Sequence, residues 1–412
     1  MNPQAAENPL GGRRVARRGD AVVADDGDAL REALALVAPG TRLRHGLDRV
    51  LQGKRGAIVV MGDGPAVLAI CTGGFVLDTA FTPERFSELA KMDGAIILTA
   101  DASRIARANV HVTPRASIPT SETGTRHRTA ERVARSLDVP VVTVSESMST
   151  ITVYRGAARH MLQQPGRLID RATQAIGAVE RFKSRFDLAL ALLSTLEVED
   201  SVSVNDVVAV LQPGEMVVRF IEEVEGYLVE LGEDGRLIRL QIEELGSGVE
   251  ETLRLVALDY VAEDGAAEGP QQDGAAWTSV DGAGSTKRAA GRDPHMPALR
   301  VRADAALAAL HELSHDELMG RTAVAAVLGV DPVPGVLDLP AEARGYRLLH
   351  RLPRVSEAVI ERIVERFVTL PRLMEASLAD LEKVGGVGEA KARSVKDGLS
   401  RMVEASILER YE

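Results

Sequence analysis

Between residues 57 and 154 the chain alternates short apolar runs with stretches that carry turn or helix-start residues. Ala57-Ile58-Val59-Val60-Met61 and Val67-Leu68-Ala69-Ile70 flank Gly62-Asp63-Gly64-Pro65, which predicts a strand, a turn and a strand. Further strands are expected at Ile96 to Thr99, at Val110-His111-Val112, at Val141 to Val144 and at Ile151 to Tyr154. Helical spacing separates them: Leu30, Ala33, Leu34, Leu36 and Val37 form one stripe, and Ala130, Val133, Ala134 and Leu137 another. Thr82-Pro83-Glu84 starts a helix with a capping hydroxyl, a proline in the first turn and an acid facing the dipole. Residues 114–124, rich in Pro, Ser, Thr and Gly, read as a loop that can close over a ligand.

After Pro165-Gly166 the period becomes helical throughout. Leu168, Ile169, Ala172, Ile176, Val179 and Phe182 predict a long helix to about Leu196, and further helices fit 205–211, 215–231 and 251–261. Residues 264–297 are a Gly, Ala, Asp, Gln and Pro segment, expected to be a linker or insertion. Residues 1–26 read as a polar tail without the apolar run of a secretory signal.

At 412 residues, with 45% hydrophobic and 26% charged side chains, the chain is expected to be globular with two or three domains. Aromatic residues at 3% are too scarce for a base-stacking platform. No apolar stretch nears the ~20 residues of a membrane span. The single cysteine, Cys71, lies in an apolar run, where a small buried hydrophobe is the simpler role than a reactive thiol, and a reducing cytoplasm is the expected location. The net charge of −11 hides an uneven distribution: residues 197–264 hold eighteen acids and four bases, so the middle of the chain is not where phosphates are handled.

Candidate chemistry concentrates between Met92-Asp93-Gly94-Ala95 and Gly124-Thr125-Arg126-His127-Arg128. Asp93 sits at a helix-to-strand junction, on the rim of the expected sheet. The second motif places two guanidinium groups and an imidazole at a helix start, which already favours anions through its free N–H groups and dipole. Guanidinium forks match phosphate oxygens, and a carboxylate nearby suits a divalent metal completed by phosphate ligands. Glu146, at the end of a strand, is a candidate second metal carboxylate. Taken singly, an Asp-Gly pair is usually a turn and Arg-His-Arg a solvated helix face.

Together, about 30 to 35 residues apart among alternating strands, the two motifs resemble the diadenylate cyclase family in its DNA-integrity-scanning form, from about residue 27 to the C-terminus. Near that terminus, Leu378-Ala379-Asp380-Leu381-Glu382-Lys383-Val384-Gly385-Gly386-Val387-Gly388-Glu389-Ala390-Lys391-Ala392 looks like a helix-hairpin-helix element. Its candidate DNA-phosphate contacts are Gly385, Gly386, Gly388, Lys391 and Lys396. Residues 352–359 could be a partner copy without glycines, in a stretch, 344–373, of seven Arg and three Glu. A hairpin used only for protein contacts is the alternative.

The resemblance implies a multidomain α/β plus α architecture: tail 1–26, mixed-sheet cyclase domain 27–165, helical spine 166–263, linker 264–297, spine continuation 298–343 and helix-hairpin-helix domain 344–412. It implies that ATP is the substrate and cyclic di-AMP the product, with Mg2+ or Mn2+ as cofactor, branched or damaged DNA as partner, and a homo-octamer as the assembly. Asp93, Arg126, His127 and Arg128 would be catalytic. Gly94, Ala95, Val112, Thr125, Thr129 and Ser145 would bind ATP, with Val112 at the adenine, and Asp93 and Glu146 would hold the metal. A nucleotide-sensing, DNA-tethered scaffold without catalysis is the competing expectation.

Overall fold

The computed structural model describes residues 26–262 and 295–409. The expected tail and the body of the linker segment 264–297 lie outside the described residues. The described residues fall into two compact units, 26–176 with 221–243, and 177–220 with 244–262 and 295–409.

The first unit begins with helices α1 (Asp26–Leu36) and α2 (Arg42–Gln52), then strand β1 (Ala57–Met61). Helix α3 (Pro65–Ala69) leads to β2 (Cys71–Thr72) and β3 (Phe75–Ala80), and α4 (Pro83–Leu89) to β4 (Ala95–Leu98) and β5 (Arg104–Val112). Helix α5 (Thr125–Leu137) precedes β6 (Val141–Ser145), β7 (Thr150–Arg155) and β8 (Ala158–Met161). The eight strands form one mixed sheet in the order β2-β5-β4-β1-β6-β7-β8, with β3 also pairing with β5. Only β1 and β4 run parallel; the other pairs are antiparallel.

The central strands are apolar throughout because both faces are covered, the condition under which strands lose alternation. Ala57, Val59 and Met61 pack with Leu34, Leu47, Phe81 and Phe86 on the side of α1, α2 and α4. Ile58 and Val60 pack with Ala130, Val133 and Ala134 of α5 on the other.

Two expected elements change. Val67–Ile70 is not a strand: Pro65 after Gly64 starts helix α3, and Cys71 opens β2. A four-residue apolar run has no period to separate the two, and the Gly-Pro start decides. Cys71 is partly buried and its thiol donates to the Val67 carbonyl at 3.1 Å, while burial pushes the thiol pKa up. Val110–Val112 is only the end of β5, a bulged nine-residue strand whose arginines masked its start and in which Asn109 takes a left-handed φ of 53°.

Helix α6 (Pro165–Val198) is the long helix expected after Pro165. The helices expected at 205–211 and 215–231 are one, α7 (Val204–Leu231), which continues through Pro213. Gly214 packs so closely that a Cβ there would come within 2.6 Å of Leu253 and 2.8 Å of Phe186, and Val210, Leu211, Met216 and Val217 are buried around it. That burial outweighs the loss at proline. Helices α8 (Arg236–Gly246), α9 (Val249–Tyr260), α10 (His295–Glu312), α11 (His315–Met319) and α12 (Arg321–Val327) follow.

The second unit ends in two helix pairs: α13 (Tyr346–His350) with α14 (Glu357–Phe367), and, after α15 (Leu370–Glu375), α16 (Leu378–Glu382) with α17 (Glu389–Glu409). Both connecting turns pass through the left-handed region, at Arg354 (φ 67°) and at Gly386 (φ 80°). The two sit at the same place in the matching runs Leu352-Pro353-Arg354-Val355 and Val384-Gly385-Gly386-Val387, so the upstream segment repeats the turn without its glycines. Asp259, fully buried, accepts the backbone N–H groups of Gly345, Tyr346 and Arg347 at 2.8, 2.6 and 3.0 Å and so caps α13.

Gly94 is held bare by the neighbouring strand. A Cβ there would stand 2.7 Å from the Asn109 backbone. Gly94→Ala is therefore expected to cost about 1–3 kcal/mol of stability through forced overpacking, read as a lower thermal unfolding midpoint; a variant that melts with the parent would refute the close approach.

Candidate active site at one rim of the sheet

Strand register gathers the candidate residues at one end of the sheet. Ala95 pairs with Ile58 and with Val110, and Ala57 pairs with Val144. Asp93, Gly94 and Gly56 therefore enter this rim just before β4 and β1, while Val112 and Ser145 leave it at the ends of β5 and β6. Helix α5 runs antiparallel to the strand that follows it, so its N-terminus opens onto the same rim. The parallel pair presents its N-terminal ends here. Ligands of open parallel sheets meet carboxyl ends, so the rim departs from that rule and is built instead by antiparallel neighbours.

The N-cap of α5 is Gly124, which makes no side-chain cap bond, so the first-turn N–H groups remain free for an anion. Arg126 extends from this turn and donates to Asp93 Oδ1 at 3.1 Å. Its guanidinium covers Gly56, where a Cβ would lie 2.5 Å from the Arg126 terminal nitrogen. Both partners of the ion pair are accessible, Asp93 almost wholly (96%). Arg128 is exposed, and no side-chain partner is seen for it among the described residues. Thr125 is exposed beside it and Thr129 is half-buried.

His127 points the other way, into the sheet. Its Nδ1 lies 2.8 Å from the Tyr154 hydroxyl and 3.1 Å from Thr143 Oγ1. Tyr154 donates to Glu122 Oε1 at 2.9 Å, and Arg159 Nε reaches the same oxygen at 2.9 Å. Burial holds the imidazole below its usual pKa, with Arg159 and Arg126 acting in the same direction and Glu122 against them. Burial and Glu122 push the Tyr154 phenol up.

Asp93 and Arg126 are brought together as expected, and Gly94, Ala95, Val112 and Ser145 share their rim. Ala95 is buried in the sheet, and Gly94 answers to Asn109. Ser145 is buried, and its hydroxyl accepts from Met148 N at 3.3 Å across the β6–β7 turn. Glu146 is exposed on that turn. Among the described residues no three or more His, Cys, Asp or Glu side chains cluster as a metal site.

The loop 114–124, expected to close over a ligand, is instead tied down over its second half. Buried Glu131 accepts from the Thr120 hydroxyl and from Ser121 N, and is paired with Arg135 at 2.7 Å. Arg132 and Arg135 bond the carbonyls of Ile118 and Pro119 at 2.9 and 3.0 Å. The Pro and Ser content read as freedom, but cations and a carboxylate one and two turns into α5 take up its backbone groups.

Gly56, Glu122, Thr143, Tyr154 and Arg159 were not among the sequence candidates. A threonine inside Val141-Val142-Thr143-Val144 and a tyrosine ending Ile151-Thr152-Val153-Tyr154 were the available signals, since a polar group in a buried run needs a partner.

A family model described as "DisA bacterial checkpoint controller nucleotide-binding" matches residues 44–158. A second, "DisA bacterial checkpoint controller linker region", matches residues 162–277. The protein named "DNA integrity scanning protein DisA" in Streptomyces coelicolor is 46% identical over 383 residues, 93% of this chain and 94% of that one. Its namesake in Acidothermus cellulolyticus is 46% identical over 384 residues, 93% and 96% of the two chains. The chain belongs to the DisA family. The nucleotide-binding match of the DisA family encloses the rim residues from Gly56 to Ser145 and Tyr154 behind them, with the Asp93–Arg126 pair inside it.

Glu131→Ala should release Ser121 and Thr120 without unfolding the sheet, seen as hydrogen exchange at the amides of 118–122 faster by at least about tenfold, the loss of roughly 1.4 kcal/mol of local protection. Unchanged exchange there would show that the loop is held by something else.

Proposed function

We propose that the chain is a diadenylate cyclase that joins two ATP molecules into cyclic di-AMP and releases two pyrophosphates. The observation that carries this reading is the Asp93–Arg126 pair, 3.1 Å apart at an uncapped helix start within the family's nucleotide-binding region. An exposed ion pair is worth only about 0–1 kcal/mol, so a triphosphate can open it at little cost. Arg126 would then turn to phosphate oxygens beside Arg128, Thr125 and Thr129, while Asp93 is freed for the reacting hydroxyl.

In each half-reaction the 3′-oxygen of one nucleotide attacks the α-phosphorus of the other. The bond to the bridging oxygen breaks, pyrophosphate leaves with its electron pair, and the hydroxyl proton passes to Asp93. Ring closure needs two such sites face to face, so the active form is at least a pair of subunits, and a homo-octamer is the assembly proposed for it. Gly94 and Ala95 bring the backbone close to the nucleotide, Ser145 contributes at the rim, and Val112 meets the adenine. Positioning and charge neutralisation do most of the work, as in phosphoryl transfer generally.

The donor set suits Mg2+ or Mn2+, ions that take one or two carboxylates and complete their shell with phosphate oxygens and water. Asp93 has its second oxygen without a partner among the described residues, and Glu146, exposed on the β6–β7 turn, would be the second carboxylate. Such an ion would supply neutralisation of the phosphate charge.

The α16–α17 pair is proposed as a helix-hairpin-helix module for branched or damaged DNA, with α13–α14 as its degenerate copy, acting in the cytoplasm and modulating the cyclase. Gly385 and Gly388 leave room for a phosphate, Gly386 takes the left-handed turn, and Lys391, exposed, bonds the Gly386 carbonyl at 3.0 Å. Arg362 of α14 lies beside Gly386 and adds charge there. Lys396 leaves the set of contacts: its ammonium is spent on the carbonyls of Met374 and Ala376, both at 2.8 Å, where it closes the end of α15.

Incubating the purified chain with ATP and Mg2+ or Mn2+ and separating products by mass should yield cyclic di-AMP; no product would favour a nucleotide-sensing scaffold. Asp93→Asn should lower turnover by at least about a hundredfold, the range of a general acid–base group, with folding and assembly intact. Undiminished turnover would remove the carboxylate from the mechanism. Lys391→Glu should weaken DNA binding and flatten its salt dependence by about one to two counterions; the parent's affinity and salt slope in that variant would reject the hairpin.

A further inference from the structure

The contacts around His127 admit one consistent placement of protons. Glu122 Oε1 receives Arg159 Nε at 2.9 Å and lies 2.9 Å from the Tyr154 hydroxyl. An ionised carboxylate has no proton to offer, so the single phenolic proton goes to Glu122. The Tyr154 oxygen is also 2.8 Å from His127 Nδ1. Two lone pairs at that separation would repel, so Nδ1 carries the hydrogen and Tyr154 accepts it. Thr143 Oγ1, at 3.1 Å, is a second acceptor for the same N–H. Neutral imidazole has one ring hydrogen, and Nε2 is then bare. No hydrogen bond to Nε2 is seen among the described residues, and the ring edge next to it lies toward Gly124, the N-cap of α5, where a Cβ would come within 3.5 Å of His127 Cδ2.

We infer that Glu122 and Tyr154 are positioning residues that hold His127 in its Nδ1–H form, so that Nε2 serves as a hydrogen-bond acceptor for a sugar hydroxyl of the bound nucleotide. This inference rests on the cyclase reading for its ligand and alters the role of one residue within it. A bare Nε2 repels phosphate oxygens, which leaves Arg126 and Arg128 as the phosphate contacts. The nucleotide donors nearest the triphosphate are the ribose hydroxyls. The charged and titratable groups facing the ring are Glu122 from the loop before α5, Arg126 from its first turn, Arg159 from β8 and Tyr154 from β7. Burial lowers the imidazole pKa, with Arg159 and Arg126 acting the same way and Glu122 against them, which favours the neutral ring. Acidification through a midpoint below the ordinary histidine value protonates Nε2 and removes the acceptor, so the rate falls on the acid side.

Two measurements on the full chain and on Tyr154→Phe test this, since phenylalanine fills the same space without the oxygen. Histidine-selective 15N spectroscopy of the unliganded parent at neutral pH should show His127 protonated at Nδ1 and bare at Nε2, with the signal assigned by its absence in His127→Gln. In Tyr154→Phe that preference should weaken. With ATP, the variant should lose about tenfold in kcat, as for one net hydrogen bond, at unchanged KM. A parent ring protonated at Nε2, a variant with the parent's kcat, or a loss confined to KM would each overturn the inference. Failure of the cyclase reading is distinguishable, because it would show as a parent that makes no cyclic dinucleotide whatever the tautomer.

Discussion

A sheet packed on both faces leaves room for a charged ligand only at its ends, and that constraint shapes the first unit. With Val59, Val60, Ile96, Ile97 and Leu98 essentially without solvent contact, neither face has room for a charged ligand. The two charged motifs accordingly meet at the rim where β1 and β4 begin and β5 and β6 end. Helix α5 completes it, because the apolar stripe Ala130, Val133 and Ala134 fixes how the helix lies and so where its free N–H groups open.

At that rim and behind it the polar groups divide into two kinds. Asp93, Arg126 and Arg128 are exposed, and their interactions are weak enough to be exchanged for those of a ligand. Glu122, Tyr154, Thr143 and His127 are half-buried or buried and hydrogen-bonded to one another, so they hold their arrangement. Loose cations beside a fixed network suit a site that must admit a highly charged molecule and still orient one reacting group. Glu131, one turn further along α5, extends the fixed part by anchoring the preceding loop.

The second unit relies on backbone rather than surface charge. Asp259 caps α13, Arg344 bonds the last carbonyls of α9 at 2.8 to 3.1 Å, and Glu197 accepts from Tyr260 at 2.7 Å and pairs with Arg347. Burial, with Glu197 nearby, pushes the Asp259 carboxyl pKa up. These joints set the start of the first of two helix pairs whose turns share one left-handed step, taken by Arg354 in one and by Gly386 in the other.

The chain's own text determined the elements with clear period or punctuation: the apolar strands β1, β4, β6 and β7, the Thr82-Pro83 helix start, and the two charged motifs of the candidate site. It could not settle a run as short as Val67–Ile70, nor see that packing carries α7 past Pro213, because those outcomes depend on neighbours distant in sequence. Only the tertiary structure decided which way the side chains of Arg126-His127-Arg128 point. Adjacent residues on a helix diverge by about 100°, so Arg126 reaches Asp93 while His127 turns to Tyr154, a division that the order of letters does not contain. The same reason explains Lys396: its charge was legible, but the carbonyls of Met374 and Ala376 that consume it are brought near by the fold alone.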